Sequence, residues 1–399
     1  MWDGIIIGGG LSGLIAGIRA SERGKRILMI AEGTGSLSSS SGVLDIGSIP
    51  SLTCVKKHPY SFLEAQKIQA GVHYFRSLLP EYEECGQEPF LVLTPLGSCR
   101  TADLVPPGLR AEVLARSKTI VLMAPEGMKD LFPRVVKDNL EKEFPQGKVE
   151  IYPFQVSAFA PWQQGGIPIN GLEFARFWRT EEGMEALEKL LDSVARNIRA
   201  GEKSAVIFPG FSRSFAKPLQ ELLTQFPFPI VEMTDMPPAF GGEILYDALK
   251  RKFKDFGGEI ILGSGVRKMD TQGKIGRQVW VRSKGRDTNY QAREFVLATG
   301  GIFGGGIEAT PEGVKEKVLG LPLFVPEDWT RAEFLGEQPY ARLGVEVNAE
   351  LRPVDPQSGE VLLENVRVVG RSIAHWDPWV EYCGAGVSLA TGWLAGEIL

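Results

Sequence analysis

The stretch Ile5-Ile6-Ile7-Gly8-Gly9-Gly10-Leu11-Ser12-Gly13 decides the fold of this 399-residue chain. Three isoleucines bounded by glycines are typical of a short, fully buried strand in a parallel sheet. Beyond the glycines, apolar residues from Leu11 to Ile18 recur at helical spacing, and Gly24 is a helix stop signal. The next apolar run, Ile27-Leu28-Met29-Ile30, predicts a second buried strand. The N-terminus is therefore predicted to form a βαβ unit.

Within this stretch, Gly8, Gly10 and Gly13 match the G-x-G-x-x-G spacing of dinucleotide-binding turns. The first glycine permits a tight bend, the second admits a pyrophosphate, and the third lets the helix pack on the strand. Because 47 of 399 residues are glycine, about 0.6 matches are expected by chance, so only the strand–turn–helix context makes the pattern informative. Glu32, at the end of the second strand, is predicted to accept hydrogen bonds from the ribose of an adenine dinucleotide.

Composition and charge exclude several other classes of protein. The 44 basic and 49 acidic residues give a net charge of −5, which offers no basic surface for a nucleic acid. The four cysteines form no C-x-x-C pair and there are only three histidines, so we predict no metal site. Few, scattered cysteines suit a reducing cytoplasm. No apolar run reaches the roughly 20 residues of a membrane-spanning helix, so we predict no direct membrane span.

The βα pattern stops near residue 45 and returns only after residue 240. A simple NAD-dependent dehydrogenase usually continues as a regular βαβ series, whereas an interrupted series is typical of FAD-dependent oxidoreductases. We therefore predict an α/β fold with a split Rossmann-like FAD-binding domain over residues 1–60 and 236–399. An α+β cap domain over residues 61–235 is predicted to be inserted into it and to contact substrate or a partner.

A second flavin signature follows a later apolar strand, in Val296-Leu297-Ala298-Thr299-Gly300-Gly301. Its Thr-Gly-Gly turn is predicted to pass near the bound nucleotide; the alternative is an ordinary strand that ends in glycine. A last strand over residues 366–369 leads into Gly370, and a final helix is predicted over residues 386–398.

Several segments of the chain resemble the B-type subunit of anaerobic glycerol-3-phosphate dehydrogenase. They are the glycine turn, the run Ser38-Ser39-Ser40-Ser41-Gly42 with Leu44-Asp45, residues 93–100, and the C-terminal block over residues 370–387. The resemblance implies a flavoprotein that works with a paralogous FAD-binding A-type subunit and an iron–sulfur C-type subunit. It implies oxidation of sn-glycerol 3-phosphate to dihydroxyacetone phosphate, with electrons passing to the quinone pool. It also implies a cytoplasmic protein, peripheral at the inner membrane through its partners.

The family resemblance and the residues of this chain point to different flavins. The family is generally assigned FMN, whereas Glu32 and a complete glycine fingerprint suit an adenine dinucleotide. We predict FAD, with FMN as the alternative. The cofactor is predicted to contact the glycine turn, the strand ends and the C-terminal block: Gly8, Gly9, Gly10, Leu11, Ser12, Gly13, Glu32, Ser41, Gly42, Val266, Ala298, Thr299, Gly300, Gly301, Gly370, Asp377, Gly384, Gly386 and Val387.

One position departs from the usual pattern of FAD enzymes. Many of them place an acidic residue directly after the glycine of the last strand, where it bonds the flavin chain, but here Arg371 follows Gly370. Either Asp377 takes that role from a longer loop, or backbone N–H groups near residues 384–387 do. A helix that begins there would also stabilise the anionic reduced flavin.

Oxidation of an alcohol requires a group that accepts the hydroxyl proton and a cation for the substrate phosphate. His375 is the candidate base; the alternative is a histidine that is merely hydrogen-bonded beneath a loop. Arg100 and Arg371 are candidates for the phosphate, although arginine is also common in surface ion pairs. Three roles stay open: a catalytic dehydrogenase, an electron-relaying flavoprotein subunit of this or another iron–sulfur-containing complex, or a structural subunit without redox activity. Cys383 is predicted to be a small buried residue rather than a redox-active thiol.

Overall fold

The chain divides into two compact units, each assembled from segments that are separate in sequence. The computed structural model describes residues 1–198, 203–210, 213–283 and 285–399. Unit 1 contains Met1–Leu37, Leu44–Pro80 and Tyr246–Leu399, and unit 2 contains Ser38–Val43 and Glu81–Leu245.

The strands of the described residues are β1 (Trp2–Ile7), β2 (Ile27–Ala31), β3 (Glu83–Glu84), β4 (Phe90–Leu93), β5 (Cys99–Ala102), β6 (Leu104–Val105), β7 (Thr119–Pro125), β8 (Lys148–Phe154), β9 (Ser204–Phe208), β10 (Ile230–Glu232), β11 (Glu259–Leu262), β12 (Gly265–Gln272), β13 (Ile275–Ser283), β14 (Arg286–Leu297), β15 (Ile307–Thr310), β16 (Gly313–Glu316) and β17 (Val366–Val368). The α-helices are α1 (Leu11–Glu22), α2 (Ile49–Leu52), α3 (Pro59–Leu78), α4 (Pro133–Glu143), α5 (Ala160–Gln164), α6 (Gly171–Phe177), α7 (Glu181–Asn197), α8 (Lys217–Leu223), α9 (Phe240–Asp255) and α10 (Gly384–Ile398).

Unit 1 is built on a sheet whose strands run in the order β11-β2-β1-β14-β13-β12, with β17 paired to β14. β1 is parallel to both of its neighbours, so Ile5 lies opposite Leu28 in β2 and opposite Phe295 in β14. Ile5 and Ile6 are completely buried, as expected of a strand covered on both faces. The βαβ unit predicted from the N-terminal sequence is confirmed.

β14 belongs to two ladders of different kinds. Residues 286–291 of this strand pair antiparallel with β13, and residues 292–297 pair parallel with β1. The same end of β14 is parallel to β17 on its other side. The antiparallel hairpin therefore passes directly into the centre of the parallel sheet, and β14 ends beside the turn that follows β1.

Helices α1, α3 and α10 of unit 1 pack through glycines. A Cβ built on Gly392 of α10 would lie 2.5 Å from Ser12 O in α1, and one built on Gly71 of α3 would lie 2.8 Å from Ala390 Cα. α10 is apolar around most of its circumference and buried, as a helix enclosed by neighbours should be. Within the described ranges, no helix combines the length and apolar character needed to cross a bilayer.

This packing moves the predicted domain boundaries. α3 was expected to open the inserted domain, but it packs on α10, so unit 1 extends to Pro80. At the other end, unit 2 extends to Leu245 rather than to residue 235, because α9 begins in it. The segment Ser38–Val43 also belongs to unit 2. There the Tyr82 hydroxyl donates to Gly42 O at 2.8 Å.

Unit 2 contains a four-stranded sheet in the order β10-β9-β7-β8, and every pair in it is parallel. Ile207 in β9 is fully buried on one face with Leu122 of β7, while Phe208 packs in the opposite cluster with Trp178. Two short antiparallel ladders, β3–β6 and β4–β5, accompany the sheet. A mixed α+β domain was expected, and its main sheet is wholly parallel.

Candidate cofactor site

The turn between β1 and α1 is shaped by close backbone contacts. Gly8 has a φ of 113°, and a Cβ built on it would lie 2.2 Å from Ala298 O at the end of β14. A Cβ on Gly13 would lie 2.3 Å from Gly8 O, and one on Gly9 would lie 3.1 Å from Ala31 Cβ. The protein's own atoms therefore exclude larger residues at Gly8 and Gly13.

Gly10 differs from these glycines because a Cβ built on it meets no atom within 4 Å. It is the N-cap residue of α1, with no side-chain cap and no acidic residue in the first turn that Leu11 and Ser12 begin. The first N–H groups of a helix have no partners within that helix. An anion beside Gly10 would meet these donors and the positive end of the helix dipole. The open space at Gly10 therefore fits a pyrophosphate.

Glu32 follows β2 and lies against the beginning of β12. A Cβ built on Gly265 would lie 2.0 Å from Glu32 Oε1, so the carboxylate covers the backbone at this point. Val266, the next residue, is buried in β12. The loop after β2 also approaches the glycine turn, since a Cβ on Gly35 would lie 3.4 Å from Gly10 Cα. The exposed carboxylate of Glu32 is thus accessible to a ligand bound along this turn.

The end of β14 and the segment after β17 reach the same place. A Cβ built on Gly370 would lie 2.4 Å from Ser12 Oγ, which joins the C-terminal block to α1. Ser372 Oγ lies 3.4 Å from Thr299 Oγ1 and donates to Gly300 O at 3.4 Å. The glycine-rich segments that are far apart in sequence therefore meet within unit 1.

The N-terminus of α10 is largely paired within the protein. The N–H groups of Ala385 and Gly386 donate to Asp45 O at 3.1 Å, and that of Val387 donates to Cys383 O at 2.9 Å. α10 begins at Gly384, and the backbone N–H groups of its first turn were expected to point at the flavin. Those of Ala385, Gly386 and Val387 are instead paired within the protein. A contact of Gly386 or Val387 with the cofactor would have to use other atoms.

Arg371 is largely buried in the C-terminal block. Its Nη2 donates to Ala341 O, while Nε and Nη1 are buried without a hydrogen-bond partner among the described residues. The guanidinium carbon lies 5.2 and 5.8 Å from the ring centres of Trp376 and Trp379. A Cβ on Gly301 would lie 3.3 Å from Arg371 Cγ. Burial lowers the pKa of Arg371 to about 10, which leaves it cationic at neutral pH.

Asp377 serves the loop in which it stands. Its Oδ1 accepts from the N–H of Trp379 at 2.9 Å and of Val380 at 3.4 Å. Its own N–H donates to Glu381 Oε2 at 2.8 Å. Asp377 Oδ1 therefore stabilises the turn before α10. Any bond from Asp377 to the flavin chain would fall mainly to its Oδ2.

His375 is held by a carboxylate. Its Nε2 lies 2.7 Å from Glu346 Oε1, which also lies 3.0 Å from Lys57 Nζ. Its ring centre lies 3.9 Å from that of Phe324, and its backbone has a φ of 71°. Burial lowers the pKa of His375, so the ring is neutral at pH 7. With a proton on Nε2 for the carboxylate, Nδ1 carries the free lone pair.

Three predicted site residues lie in the other unit. Ser41 and Gly42 belong to unit 2, where a Cβ built on Gly241 would lie 2.1 Å from Ser41 O. Arg100 lies in β5 and donates to Thr101 O at 3.1 Å. Their contribution to a cofactor or substrate site stays a prediction.

Sequence patterns gave no sign of a further cluster around His58, whose partners lie at the other end of the chain. His58 Nε2 lies 3.3 Å from Glu381 Oε2 and 3.7 Å from Cys383 Sγ. Its Nδ1 accepts from the N–H of Tyr60 at 3.0 Å, so the neutral ring carries its proton on Nε2. A protonated Nε2 can donate a hydrogen bond to the Glu381 carboxylate, whereas a metal ion would need the lone pair of an unprotonated nitrogen. Burial raises the pKa of the Cys383 thiol, which makes it a poor nucleophile.

Comparisons with known proteins give the family. Residues 3–152 and 222–387 match FAD_binding_2, described as an FAD binding domain, and the chain belongs to this family. It is 29% identical to a protein of Yersinia enterocolitica named as the B-type subunit of anaerobic glycerol-3-phosphate dehydrogenase, over 99% of this chain and 97% of that protein. A protein of the same name from Vibrio cholerae is 28% identical over 99% of this chain and 96% of its own length. The resemblance found in the sequence is confirmed.

The family assignment confirms FAD as the predicted cofactor and makes the chain a flavoprotein of the oxidoreductase class. The residues fit this cofactor, because Gly10 faces open space at an uncapped helix N-terminus and Arg371 holds two buried donors without partners among the described residues. Both are features that a bound anionic dinucleotide would satisfy.

Proposed function

We propose that this chain is the B-type subunit of a quinone-linked anaerobic sn-glycerol-3-phosphate dehydrogenase. It works with a paralogous FAD-binding A-type subunit and an iron–sulfur C-type subunit, and it is peripheral at the inner membrane through them. One observation carries the proposal: the similarity to proteins of that name covers 99% of this chain and 97% of the relative. Because the alignment covers almost all of this chain and almost all of the relative, the similarity extends over both units and not only over the nucleotide-binding fold.

The chain's own residues are arranged to hold FAD, which when bound supplies a hydride acceptor. Gly10 and the first turn of α1 bind the pyrophosphate, and Glu32 bonds the adenosine ribose. Gly8 and Gly13 keep β1, α1 and β14 close enough to form this turn. The Thr299-Gly300 turn and Gly370 line the adjacent part of the site.

His375 is the group that accepts the alcohol proton, at Nδ1. Glu346 holds the opposite nitrogen at 2.7 Å and stabilises the imidazolium that forms. The lowered pKa of His375, caused by burial, keeps the base unprotonated at neutral pH. Lys57 fixes the carboxylate on its other side at 3.0 Å.

A second candidate function is electron relay, in which the A-type partner oxidises the substrate and this chain transfers the electrons. The enclosure of Arg371 favours it. Its guanidinium is covered by Trp376 and Trp379 and bonded to Ala341 O, which leaves little access for the phosphate of a free substrate. Arg100, the other candidate for phosphate binding, lies in unit 2.

The experiment is anaerobic purification of the chain alone and together with its A-type and C-type partners, followed by mass spectrometry of the released flavin. Glycerol 3-phosphate is then added and the visible flavin absorption is followed. Bleaching of the isolated chain supports catalysis by this chain, and bleaching that requires the A-type partner supports relay. The His375→Asn variant slows bleaching only in the first case, with the exposed His73→Asn as its control. A colourless chain within the complex, or a mass of FMN alone, would contradict the proposal.

A further inference from the structure

A long loop of unit 1, between β16 and β17, is folded by its own hydrogen bonds. The N–H of Tyr340 donates to Trp329 O at 2.7 Å, which closes the loop at its base. The Gln338 side chain joins the two arms, because its Oε1 accepts from the N–H of Arg331 at 2.9 Å and its Nε2 donates to Glu333 O at 2.7 Å. The loop is therefore an ordered part of unit 1.

Two apolar residues occupy the tip of this loop. Phe334 and Leu335 are the central residues of a β-turn, since the N–H of Gly336 donates to Glu333 O at 3.1 Å. They are 89% and 92% exposed, which makes them the most exposed large apolar side chains among the described residues. Central turn positions are usually taken by glycine or short polar residues. Two large apolar side chains held in water at such a turn indicate a surface that another molecule covers.

Aromatic side chains extend this exposed surface from the base of the loop. The ring centre of Phe303 lies 6.1 Å from that of Tyr340 and 5.1 Å from that of Trp379. Phe303 is 63% exposed and Trp379 is 52% exposed. Because Phe303 lies two residues beyond Gly301 and Trp379 lies in the C-terminal block, these rings border segments that line the candidate cofactor site. The name apolar surface is used below for Phe303, Phe334, Leu335, Tyr340 and Trp379.

The loop that carries the tip is acidic. Residues 327–337 contain a single basic side chain, Arg331, against four exposed carboxylates, those of Glu327, Asp328, Glu333 and Glu337. None of the four forms an ion pair with a basic residue in the described part of the chain. The negative surface of a membrane repels such a loop. Pairing of the apolar surface with the same surface of a second copy would also bring like charges together. Charge complementarity therefore favours a different protein, with an apolar recess and a basic rim.

We propose that the iron–sulfur C-type subunit docks on the apolar surface and receives Phe334 and Leu335 in an apolar recess with a basic rim. The inference rests on the proposed function and names one contact within the complex. Electrons leave this chain for the C-type partner both when the chain oxidises the substrate and when it relays electrons from the A-type partner. The C-type partner is thus the one that both candidate functions bring close to the cofactor site, which the apolar surface borders.

The test is the binding of the FAD-loaded chain to the purified C-type subunit in detergent, with and without the A-type subunit, measured by biolayer interferometry. Phe334→Ser combined with Leu335→Ser should weaken this binding about 30-fold or more, because a few apolar anchors carry most of the free energy of an interface. Binding of the A-type subunit and flavin content should stay as in wild type. Phe132→Ser, at a 52% exposed phenylalanine of unit 2, is the matched control and should bind the C-type subunit unchanged.

The acidic residues give a second readout. Added salt should slow the association of the wild-type chain with the C-type subunit, since charge complementarity acts mainly on the association rate. Glu333→Gln combined with Glu337→Gln should flatten this dependence on salt. Glu259→Gln, at an exposed position of β11, is the control and should retain it. Equal salt dependence in both would exclude a basic rim on the partner.

Other results would also overturn the proposal. If the Phe334→Ser, Leu335→Ser chain binds the C-type subunit as wild type does, the apolar surface is not used. If it loses the A-type subunit instead, the surface belongs to that partner. Loss of a concentration-dependent dimer in sedimentation would assign the surface to a second copy, and loss of binding to phosphatidylglycerol vesicles would assign it to a membrane. A wild-type chain that binds neither partner contradicts the proposed function itself, whereas the other results leave that function standing.

Discussion

Gly370 and Ser12, from opposite ends of the chain, lie so close that a Cβ built on Gly370 would be 2.4 Å from Ser12 Oγ. Gly370 also has a φ of 59°, a conformation that other residues rarely adopt. Two independent constraints therefore act on a single glycine. This contact joins the C-terminal block to the first helix beside the candidate cofactor site.

Replacing Gly370 with alanine should destabilise unit 1. The left-handed backbone alone costs about 1–2 kcal/mol for an ordinary residue, and the contact with Ser12 adds about 1–3 kcal/mol for overpacking. Gly257→Ala is the control, because Gly257 has a φ of 85° but open space around it. Denaturant unfolding of both apoproteins should show the larger loss for Gly370→Ala. Equal losses would mean that the contact with Ser12 is relieved without cost.

Gly10→Val should separate cofactor binding from folding. No protein atom lies within 4 Å of a Cβ at this position, and its φ of −76° is open to any residue. The apoprotein should lose only about 1 kcal/mol, the cost of a poor N-cap residue. FAD should no longer bind, since the side chain occupies the pyrophosphate position. Flavin content after purification measures this, with Gly86→Val as a control at an equally open glycine; full occupancy in Gly10→Val would exclude the turn as the binding site.

Glu32→Ala should weaken FAD but leave FMN binding unchanged, because FMN has no adenosine ribose. Losing a hydrogen bond to a charged group costs about 1.5–3 kcal/mol, which is more than tenfold in affinity. Calorimetric titration of the apoprotein with each flavin makes the comparison. Glu259→Ala, at an exposed position in neighbouring β11, should bind both flavins as wild type does. An equal loss for FAD and FMN would show that Glu32 acts on folding instead.

The stability of the protein should depend on pH through His375. A histidine in the unfolded chain has a pKa of about 6.5, and burial lowers the pKa of His375 in the folded protein. As pH falls, the unfolded chain binds this proton first. The contribution of neutral His375 to the free energy of unfolding is therefore complete above about pH 6.5, and it is lost as the pH falls through the lower pKa of His375 in the folded protein. Unfolding free energies between pH 8 and pH 5 should fall less steeply for His375→Asn than for wild type and for His73→Asn.

Local patterns predicted the parts of the fold that local residues determine. Ile5 to Ile7 form a buried strand that was recognisable as a β-branched run bounded by glycines, and Ile27 to Ile30 form one that was recognisable as a short, continuous apolar run. The predicted helix over residues 386–398 is α10, which begins two residues earlier. Glycines at turns were also recognisable, since only glycine permits the φ of Gly8.

The features that sequence patterns missed depend on contacts between remote residues. α3 was assigned to the inserted domain because nothing in its own sequence shows that Gly71 touches Ala390. His58 had no motif around it, because Cys383 lies 325 positions away. The unpaired donors of Arg371 were equally hidden, since exposure and hydrogen bonding follow from packing and not from spacing.

The strand order of unit 1 has a consequence for synthesis on the ribosome. β1 is made before the other strands of unit 1, yet one of its two partners, β14, ends only at Leu297, and α10 is made later still. Nearly all of unit 2 lies between them, in residues 81–245. Its parallel sheet can form while the central strand of unit 1 still lacks a neighbour. Within unit 1, β1 therefore waits longest for its second partner, and the candidate cofactor site is complete only after α10 has been made.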